Sequence, residues 1–136
     1  EAFGEGIYSA DISRRTYARA LEIALEKLET AGAVILDGSY KSREERSRAF
    51  EAARRAGAAA ILVECTCPEA LIEARLRARE TAGGDVSDGR WEIFQAQRGE
   101  FERIDEIPGE SHLVVDTSGE AEKNAVEVLE RLSKPG

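Results

Sequence analysis

The order of segments along these 136 residues predicts an α/β fold, a three-layer sandwich around a parallel sheet. Short, continuously apolar runs alternate with longer segments whose apolar residues recur at helical spacing. Within the runs, polar and apolar residues do not alternate, which is typical of strands buried on both faces. Strands separated by helices pair in parallel through right-handed crossovers. No internal repeat or linker interrupts this order, so we expect one domain spanning residues 1–136.

The first part of the chain predicts a helix, a strand and a second helix. The first helix runs from Ser9 to about residue 31, and the strand occupies residues 33–37. Ser42 and Glu45 have the capping-box spacing and open the next helix, which Gly57 closes. The apolar stripe of the first helix consists of Tyr17, Leu21, Ala24, Leu25 and Leu28.

The second part continues the alternation. Residues 59–64 form a strand, a helix runs from Pro68 to about residue 81, another covers about 88–104, and residues 112–116 form the third strand. Residues 80–90 are poor in apolar side chains, which is typical of a mobile loop or lid and equally of a plain surface connection. Thr117 or Ser118 caps a last helix whose inward residues are Ala121, Ala125, Val128, Leu129 and Leu132.

Composition excludes some classes of function. The net charge of −8 argues against nucleic-acid binding, because phosphate contacts need clustered Lys and Arg. No apolar run reaches the length of about 18 residues that a membrane span requires, and no signal peptide is present, so we expect a cytoplasmic protein. Cys65 and Cys67 lie on one face of an extended segment, but a paired metal site would lack two ligands, so buried or rim thiols are the favoured interpretation.

Candidate ligand-binding residues lie where the predicted strands end. In open parallel sheets, ligands bind beyond the carboxyl ends of the strands. Those ends carry three clusters, which we expect at one rim: residues 37–39, 65–67 and 116–119. Asp37 ends an apolar run and precedes Gly38, a position suited to a Mg²⁺-bound water or an attacking hydroxyl. A simple turn-forming Asp before Gly is the alternative.

Arginines supply candidate anion sites. Arg75 and Arg79, one turn apart, fall in projection between the leucines of their helix, while Arg77 points away. Guanidinium groups on a buried stripe need an anion, either an internal carboxylate such as Glu64 or Asp116 or a ligand phosphate. Arg46 raises the same question beside Phe50 and Ala53 on its own helix.

The order of these motifs resembles a known family. The order begins with a strand that ends in Asp37, a helix and a second strand. A helix that opens with Pro-Glu and contains Arg-x-x-x-Arg follows, and then a Gly-rich lid and a helix with aromatic residues. The last motif is the strand His-Leu-Val-Val-Asp-Thr-Ser-Gly. This is similar to P-loop kinases of the gluconate kinase-like group, and most similar to the AAA-type ATP-binding domain that follows an aminoglycoside-phosphotransferase-like domain in some bacterial proteins. Gly6-Ile7-Tyr8-Ser9 and Arg14-Arg15-Thr16-Tyr17 also fit, so the resemblance covers essentially the whole chain.

The resemblance implies a nucleotide, Mg²⁺ and a small-molecule acceptor as partners, with roles for individual residues. Asp37 would take part in catalysis and hold Mg²⁺ through water, and Arg75 and Arg79 would reach the transferred phosphoryl group. The residues that border the nucleotide base would be Thr117, Ser118 and Gly119, and those that face the acceptor would be Tyr8 and Arg15, with Arg46 as a further candidate.

One departure from the family is large. Such kinases begin with a strand and a Gly-x-x-x-x-Gly-Lys-Ser/Thr loop that cradles phosphate, and none of the four lysines here follows a glycine in such a loop. The chain therefore resembles a P-loop nucleoside triphosphate hydrolase-like domain without its first strand and phosphate-binding loop. We expect a C-terminal portion of a longer protein, with the rest of that protein or a second copy filling the sheet.

Two functions follow from this reading, and a third rests on a different fold. The first is part of an ATP-dependent phosphotransferase, inactive as these 136 residues. The second is a non-catalytic nucleotide-binding, regulatory or assembly module. The third, weaker alternative is a flavodoxin-like or receiver-type fold in which Asp37 belongs to an acidic pocket, and the Arg75 and Arg79 pair argues against it.

Overall fold

The computed structural model describes residues 6–82 and 90–133, with side chains from residue 10 to 79 and from 91 to 133. The chain divides into two compact units, Glu1–Ala60 and Ile61–Gly136. The first contains helices α1 (Gly6–Ala31) and α2 (Arg43–Arg55). The second contains, in order, β1 (Leu62–Thr66), α3 (Glu69–Ala82), α4 (Arg90–Glu100), a 3₁₀ turn (Gly109–Ser111), β2 (His112–Asp116) and α5 (Ala121–Ser133).

Both helices of the first unit end where the sequence predicts. Gly32 follows α1 with a φ of +83°, a left-handed conformation that glycine adopts without a Cβ penalty. Ser42 is the N-cap of α2, and its side-chain oxygen accepts a hydrogen bond from the backbone N–H of Glu45 at 3.3 Å. The prediction of a cap at Ser42 is therefore confirmed.

The strand predicted at residues 33–37 is wrong for the described structure. These residues form no strand, and the side chains of Val34 and Ile35 are 37% and 93% exposed. An apolar run becomes a strand only where a second strand satisfies its backbone N–H and C=O groups. No described residue supplies that partner to the segment.

The second unit contains the sheet. β1 and β2 pair in parallel, with Leu62 opposite His112 and Thr66 opposite Asp116. The parallel pairing is confirmed, and β2 has the predicted bounds, whereas β1 lies a few residues later than predicted. Leu113 and Val115 of β2 are 9% and 3% exposed and belong to the core of this unit. The described residues thus form an α/β structure with a two-stranded parallel sheet, and the third layer stays a prediction.

Helices α4 and α5 differ in how well they are covered. Trp91 of α4 is 8% exposed and stacks on Phe94, with 5.6 Å between ring centroids, so this side chain serves packing. In α5 the prediction of an inward face is wrong for four of its five residues, because Ala121 and Ala125 are exposed and Leu129 and Leu132 are 61% and 55% exposed. The half-buried residues of α5 are Asn124, Val128 and Arg131. Arg131 donates to the carbonyl of Gly109 at 2.9 Å, which turns that side of the helix inward.

None of the helices in the described ranges is both long and apolar enough to cross a lipid bilayer.

Candidate functional site

A groove in the first unit runs between α1 and the segment that follows residue 35. We call it the Tyr17 groove. Its volume is about 330 Å³, at the lower end of the range of roughly 300–1,000 Å³ that is usual for small-molecule sites. Helix α1 forms one wall, since its lining residues recur every three or four positions and therefore lie on one face of the helix. The described residues that line the groove are Ile12, Ser13, Thr16, Tyr17, Ala20, Leu36, Asp37, Gly38 and Tyr40.

Tyr17 fixes the segment opposite α1. Its hydroxyl oxygen lies 3.0 Å from the Ser39 hydroxyl oxygen and accepts a hydrogen bond from the backbone N–H of Tyr40 at 3.2 Å. The rings of Tyr17 and Tyr40 meet edge to face, with centroids 4.7 Å apart. A Cβ at Gly38 would lie 3.2 Å from the Tyr17 ring, a tight contact that the ring would have to relieve by a small shift.

Arg46 holds the backbone of the loop at Tyr40 in place. This side chain is 1% exposed, and its guanidinium Nη1 donates to the carbonyl oxygen of Tyr40 at 2.7 Å. Tyr40 has a φ of +43°, a left-handed conformation that costs free energy in a residue other than glycine. Arg46 thus stabilises a strained turn, and the structure gives it a structural role. Its predicted contact with an acceptor stays a prediction.

The environment of Tyr40 also affects its ionisation. Burial of the side chain raises the pKa of the Tyr40 hydroxyl above its ordinary value of 10.0, and the nearby Tyr17 and Glu45 raise this pKa further. The phenol therefore stays neutral around neutral pH. It forms an uncharged aromatic edge of the Tyr17 groove.

Asp37 is the single charged side chain among the described residues that line the groove. Its carboxylate is exposed and forms no hydrogen bond or ion pair with other described residues. A carboxylate in this state can accept a hydrogen bond from a hydroxyl or hold a hydrated cation. Both interpretations of Asp37 that the sequence left open fit this position.

The other acceptor-side candidates are placed differently. Arg15 forms an ion pair with Asp11 at 2.9 Å, its side chain is 78% exposed, and it is not among the described residues lining the groove. Tyr8 belongs to α1, but its side chain lies outside the described residues. The acceptor roles of both residues stay predictions.

A second polar cluster lies at the carboxyl edge of the sheet. Thr117 follows β2 and bonds twice to the carbonyl of Thr66, through its backbone N–H at 2.7 Å and its hydroxyl at 2.9 Å. The Thr66 hydroxyl donates in turn to the carbonyl of Val115 at 3.3 Å. The predicted clusters at residues 65–67 and 116–119 therefore share one edge. Asp37 belongs to the other unit, and its place at the same rim stays a prediction.

Asp116 is satisfied within this edge. Its carboxylate accepts the backbone N–H of Ser118 at 2.9 Å. Hydrogen bonds from the Ser118 backbone, then from the Ser118 hydroxyl, lower the pKa of the Asp116 carboxyl below its ordinary value of 3.8. The hydrogen bonds of this local turn account for the positions of Asp116 and Ser118 without a ligand. The edge is still accessible to solvent, because Gly119 and the Ser118 side chain are exposed.

The two arginines of α3 do not lie on a buried stripe. Arg75 and Arg79 are both exposed, so this part of the prediction is wrong. The physical reason is that α3 is covered on few sides in the described unit, and long cationic side chains extend to water there. Within the described part of the chain, neither arginine pairs with a carboxylate, and Glu64 instead bonds to His112 at 2.9 Å.

Arg75 nevertheless reaches the strand edge. Its Nη2 donates to the carbonyl of Thr117 at 2.9 Å, and its Nη1 lies 3.7 Å from the Cys67 sulfur. Arg79 forms no ion pair with the described residues. One of the two predicted anion-binding arginines is thus placed at the predicted nucleotide edge.

A protein site for a metal such as zinc needs several His, Cys, Asp or Glu side chains close together. No group of three or more His, Cys, Asp and Glu side chains gathers around one point within residues 6–82 and 90–133. Cys65 is exposed and Cys67 is half-buried, and both are free thiols. Mg²⁺ does not need such a group, because it is usually held by one or two carboxylates together with substrate phosphates and water. Asp37 is the residue that fits this role.

The prediction of a lid or surface connection at residues 80–90 lies mostly outside the described residues, since residues 83–89 are not described. Tyr40 was not predicted as a groove residue, and Tyr17 was predicted as part of the apolar stripe of its helix. A signal was present, because a glycine directly after Asp37 marks a point where another group approaches the backbone.

Comparisons with known proteins gave one finding. The model of a family described as "AAA domain" matches residues 3–104. This match implies the P-loop nucleoside triphosphatase fold that the sequence motifs predicted. No curated protein and no solved structure matches the chain.

Proposed function

Because the chain belongs to the AAA domain family, we propose that it is part of an ATP-dependent phosphotransferase acting on a small hydroxylated acceptor. The observation that carries the proposal is the Asp37 carboxylate. It is exposed, it has no partner among the described residues, and it lies in a groove with several hydroxyl groups. Asp116, the equivalent residue after β2, is already satisfied by Ser118.

The residues divide into three roles. Asp37 would hold Mg²⁺ through water or accept a hydrogen bond from the acceptor hydroxyl. The exposed edge formed by Thr117, Ser118 and Gly119 would border the nucleotide base. When bound, Mg²⁺ would neutralise charge on the nucleotide phosphates.

Arg75 and Arg79 would place guanidinium groups near the transferred phosphoryl group, whose charge spreads over three oxygens. The hydrogen bond from Arg75 to the Thr117 carbonyl supports this role, because it ties one guanidinium to the proposed nucleotide edge. Arg79, exposed and without an ion pair among the described residues, is able to follow a bound anion.

The 136 residues contain no Gly-x-x-x-x-Gly-Lys-Ser/Thr loop. Backbone N–H groups and the lysine of that loop supply most of the phosphate binding in P-loop proteins. We therefore expect these 136 residues alone to bind ATP weakly and to show no phosphoryl transfer. Measurable ATP turnover by the pure chain would contradict this expectation.

The decisive experiment is Asp37→Asn in the natural, full-length form of the protein. We expect kcat to fall by about 10²-fold or more, because an amide cannot hold Mg²⁺ or accept a proton as a carboxylate does. Glu29→Gln removes one exposed carboxylate elsewhere on α1 and serves as the matched control. Equal activity of the two variants would refute the catalytic role of Asp37.

A non-catalytic nucleotide-binding or regulatory module is the second candidate. The apolar side chains of α5 favour it, since Val126, Leu129 and Leu132 are each more than half exposed. Exposed apolar patches often mark interaction surfaces. Under this alternative, Asp37→Asn would alter nucleotide affinity or stability and leave no catalytic rate to lose.

A further inference from the structure

The Tyr17 hydroxyl holds the loop that directly follows Asp37. We propose that Tyr17 is a positioning residue: by fixing residues 38–40 it fixes the backbone of Asp37, and with it the direction of the Asp37 carboxylate. This inference rests on the proposed function, in which Asp37 takes part in phosphoryl transfer. It adds a residue of α1 on which that transfer depends.

The carboxylate of Asp37 is not held by contacts of its own. Its side chain forms no hydrogen bond or ion pair with other described residues. Among the described residues, no backbone-to-backbone hydrogen bond involves residues 33–40. The place of the carboxylate is therefore set by the chain on either side of it. On the upstream side Val34 and Ile35 are exposed and give little packing, so the loop downstream is the side that can fix Asp37.

Two side chains anchor the downstream loop at Tyr40. The Tyr17 hydroxyl oxygen accepts a hydrogen bond from the backbone N–H of Tyr40 at 3.2 Å, and the Arg46 guanidinium donates to the Tyr40 carbonyl oxygen at 2.7 Å. Tyr40 has a φ of +43°, a conformation that a residue other than glycine keeps only where its surroundings hold it. Because both polar groups of the Tyr40 backbone are bonded, the loop takes one defined course.

Tyr17 also meets the two residues between Asp37 and Tyr40. Its hydroxyl oxygen lies 3.0 Å from the Ser39 hydroxyl oxygen, and its ring packs closely against Gly38. One side chain of α1 thus contacts each residue of the loop in turn. Catalysis is sensitive to such placement, because a displacement of about 1 Å can slow a reaction by as much as about 10²-fold.

The first test is Tyr17→Phe in the natural, full-length form of the protein. Phenylalanine keeps the ring and removes only the hydroxyl. We expect kcat to fall about tenfold and KM for ATP to change by less than about twofold, because the carboxylate is displaced while nucleotide binding is untouched. Thr30→Val removes an exposed hydroxyl from the last turn of the same helix and should leave kcat unchanged.

Amide hydrogen exchange reports on the loop directly and needs no catalytic activity. In Tyr17→Phe the backbone N–H of Tyr40 loses its acceptor, so this amide should exchange at least about tenfold faster. Mass spectrometry of the peptide that contains residues 38–41 measures the change. Peptides from α2 should keep their exchange rates, which shows that the variant is folded.

A double variant separates positioning from a direct or a merely structural role. Tyr17→Phe combined with Asp37→Asn should have the kcat of Asp37→Asn alone, since no carboxylate is left to position. Losses that multiply in the double variant would overturn the inference, as would full kcat or unaltered exchange at Tyr40 in Tyr17→Phe. Failure of the proposed function gives a different result: Asp37→Asn alone would keep full activity, and the inference would fall with it.

Discussion

Two five-residue segments of similar composition behave differently in this protein. Residues 33–37 and His112–Asp116 are both apolar, both end in Asp, and both precede small polar residues. The second is a strand with Val115 3% exposed, while the first forms no strand and leaves Ile35 93% exposed. The difference is the partner: β2 has β1 beside it, and residues 33–37 have no strand beside them in the described structure. An apolar run makes a strand possible, and only a neighbour makes it form.

The aspartates that end the two segments differ in the same way. Asp116 accepts a hydrogen bond from its own turn, whereas Asp37 has no partner among the described residues. The turn at Ser118 thus satisfies the Asp116 carboxylate, whereas no described residue satisfies that of Asp37. This contrast is the reason for placing the proposed chemistry at Asp37.

The largest expected effect on stability comes from removing a buried side chain of β2. Leu113→Ala should lower the free energy of unfolding by about 2–3 kcal/mol, since it removes a side chain that is 9% exposed from the core. Ile35→Ala should change it by less than about 0.5 kcal/mol, as is usual for an exposed position. Urea unfolding followed by circular dichroism measures both. A loss of about 2 kcal/mol in Ile35→Ala would show that residues 33–37 are packed after all.

A smaller effect tests how the loop after Asp37 is held without a strand. Arg46→Met should destabilise the protein by about 1–3 kcal/mol, because the Tyr40 carbonyl loses a buried hydrogen-bond donor. Arg54→Met is the matched control on the same helix, since its side chain is 72% exposed and, among the described residues, pairs with Glu51 alone. If Arg46→Met keeps full stability without ligand and loses only ligand binding, Arg46 is a binding residue and not a structural one.

The smallest expected effect concerns Asp116, whose carboxylate accepts a hydrogen bond within its own turn. The pKa of Asp116 is below its ordinary value, so this carboxylate contributes stability that is present above about pH 3.8 and is lost as the pH falls through the lowered value. Ser118→Ala removes the hydroxyl bond but keeps the backbone bond, and should raise the pKa of Asp116 partway toward 3.8. Carboxyl NMR titration measures this change. An unaltered pKa would mean that the backbone N–H alone causes the shift.

Local features were predicted well from the sequence, and the physical reason is their short range. The Ser42 cap, the helix end at Gly32 and the bounds of β2 depend on residues within a few positions of one another. The parallel pairing followed from the alternation of helices and strands. The Thr117 edge followed from the general rule for carboxyl ends of strands.

Burial was predicted less well. The sequence shows which face of a helix is apolar, but it does not show whether anything covers that face. Leu129 and Leu132 lie on the apolar side of α5 and are more than half exposed, and Arg75 and Arg79 are exposed as well. Arg46 is the reverse case, a charged residue that is 1% exposed.

The sequence by itself determined the α/β class, the Ser42 cap and the family, because these depend on local chemistry and on the order of motifs along the chain. Only the tertiary structure decided that Tyr17, Gly38 and Tyr40 form a groove around Asp37, and that Arg46 supports this loop from behind. The groove joins residues of α1 to residues more than twenty positions later, and a side chain's partner across that distance is set by packing.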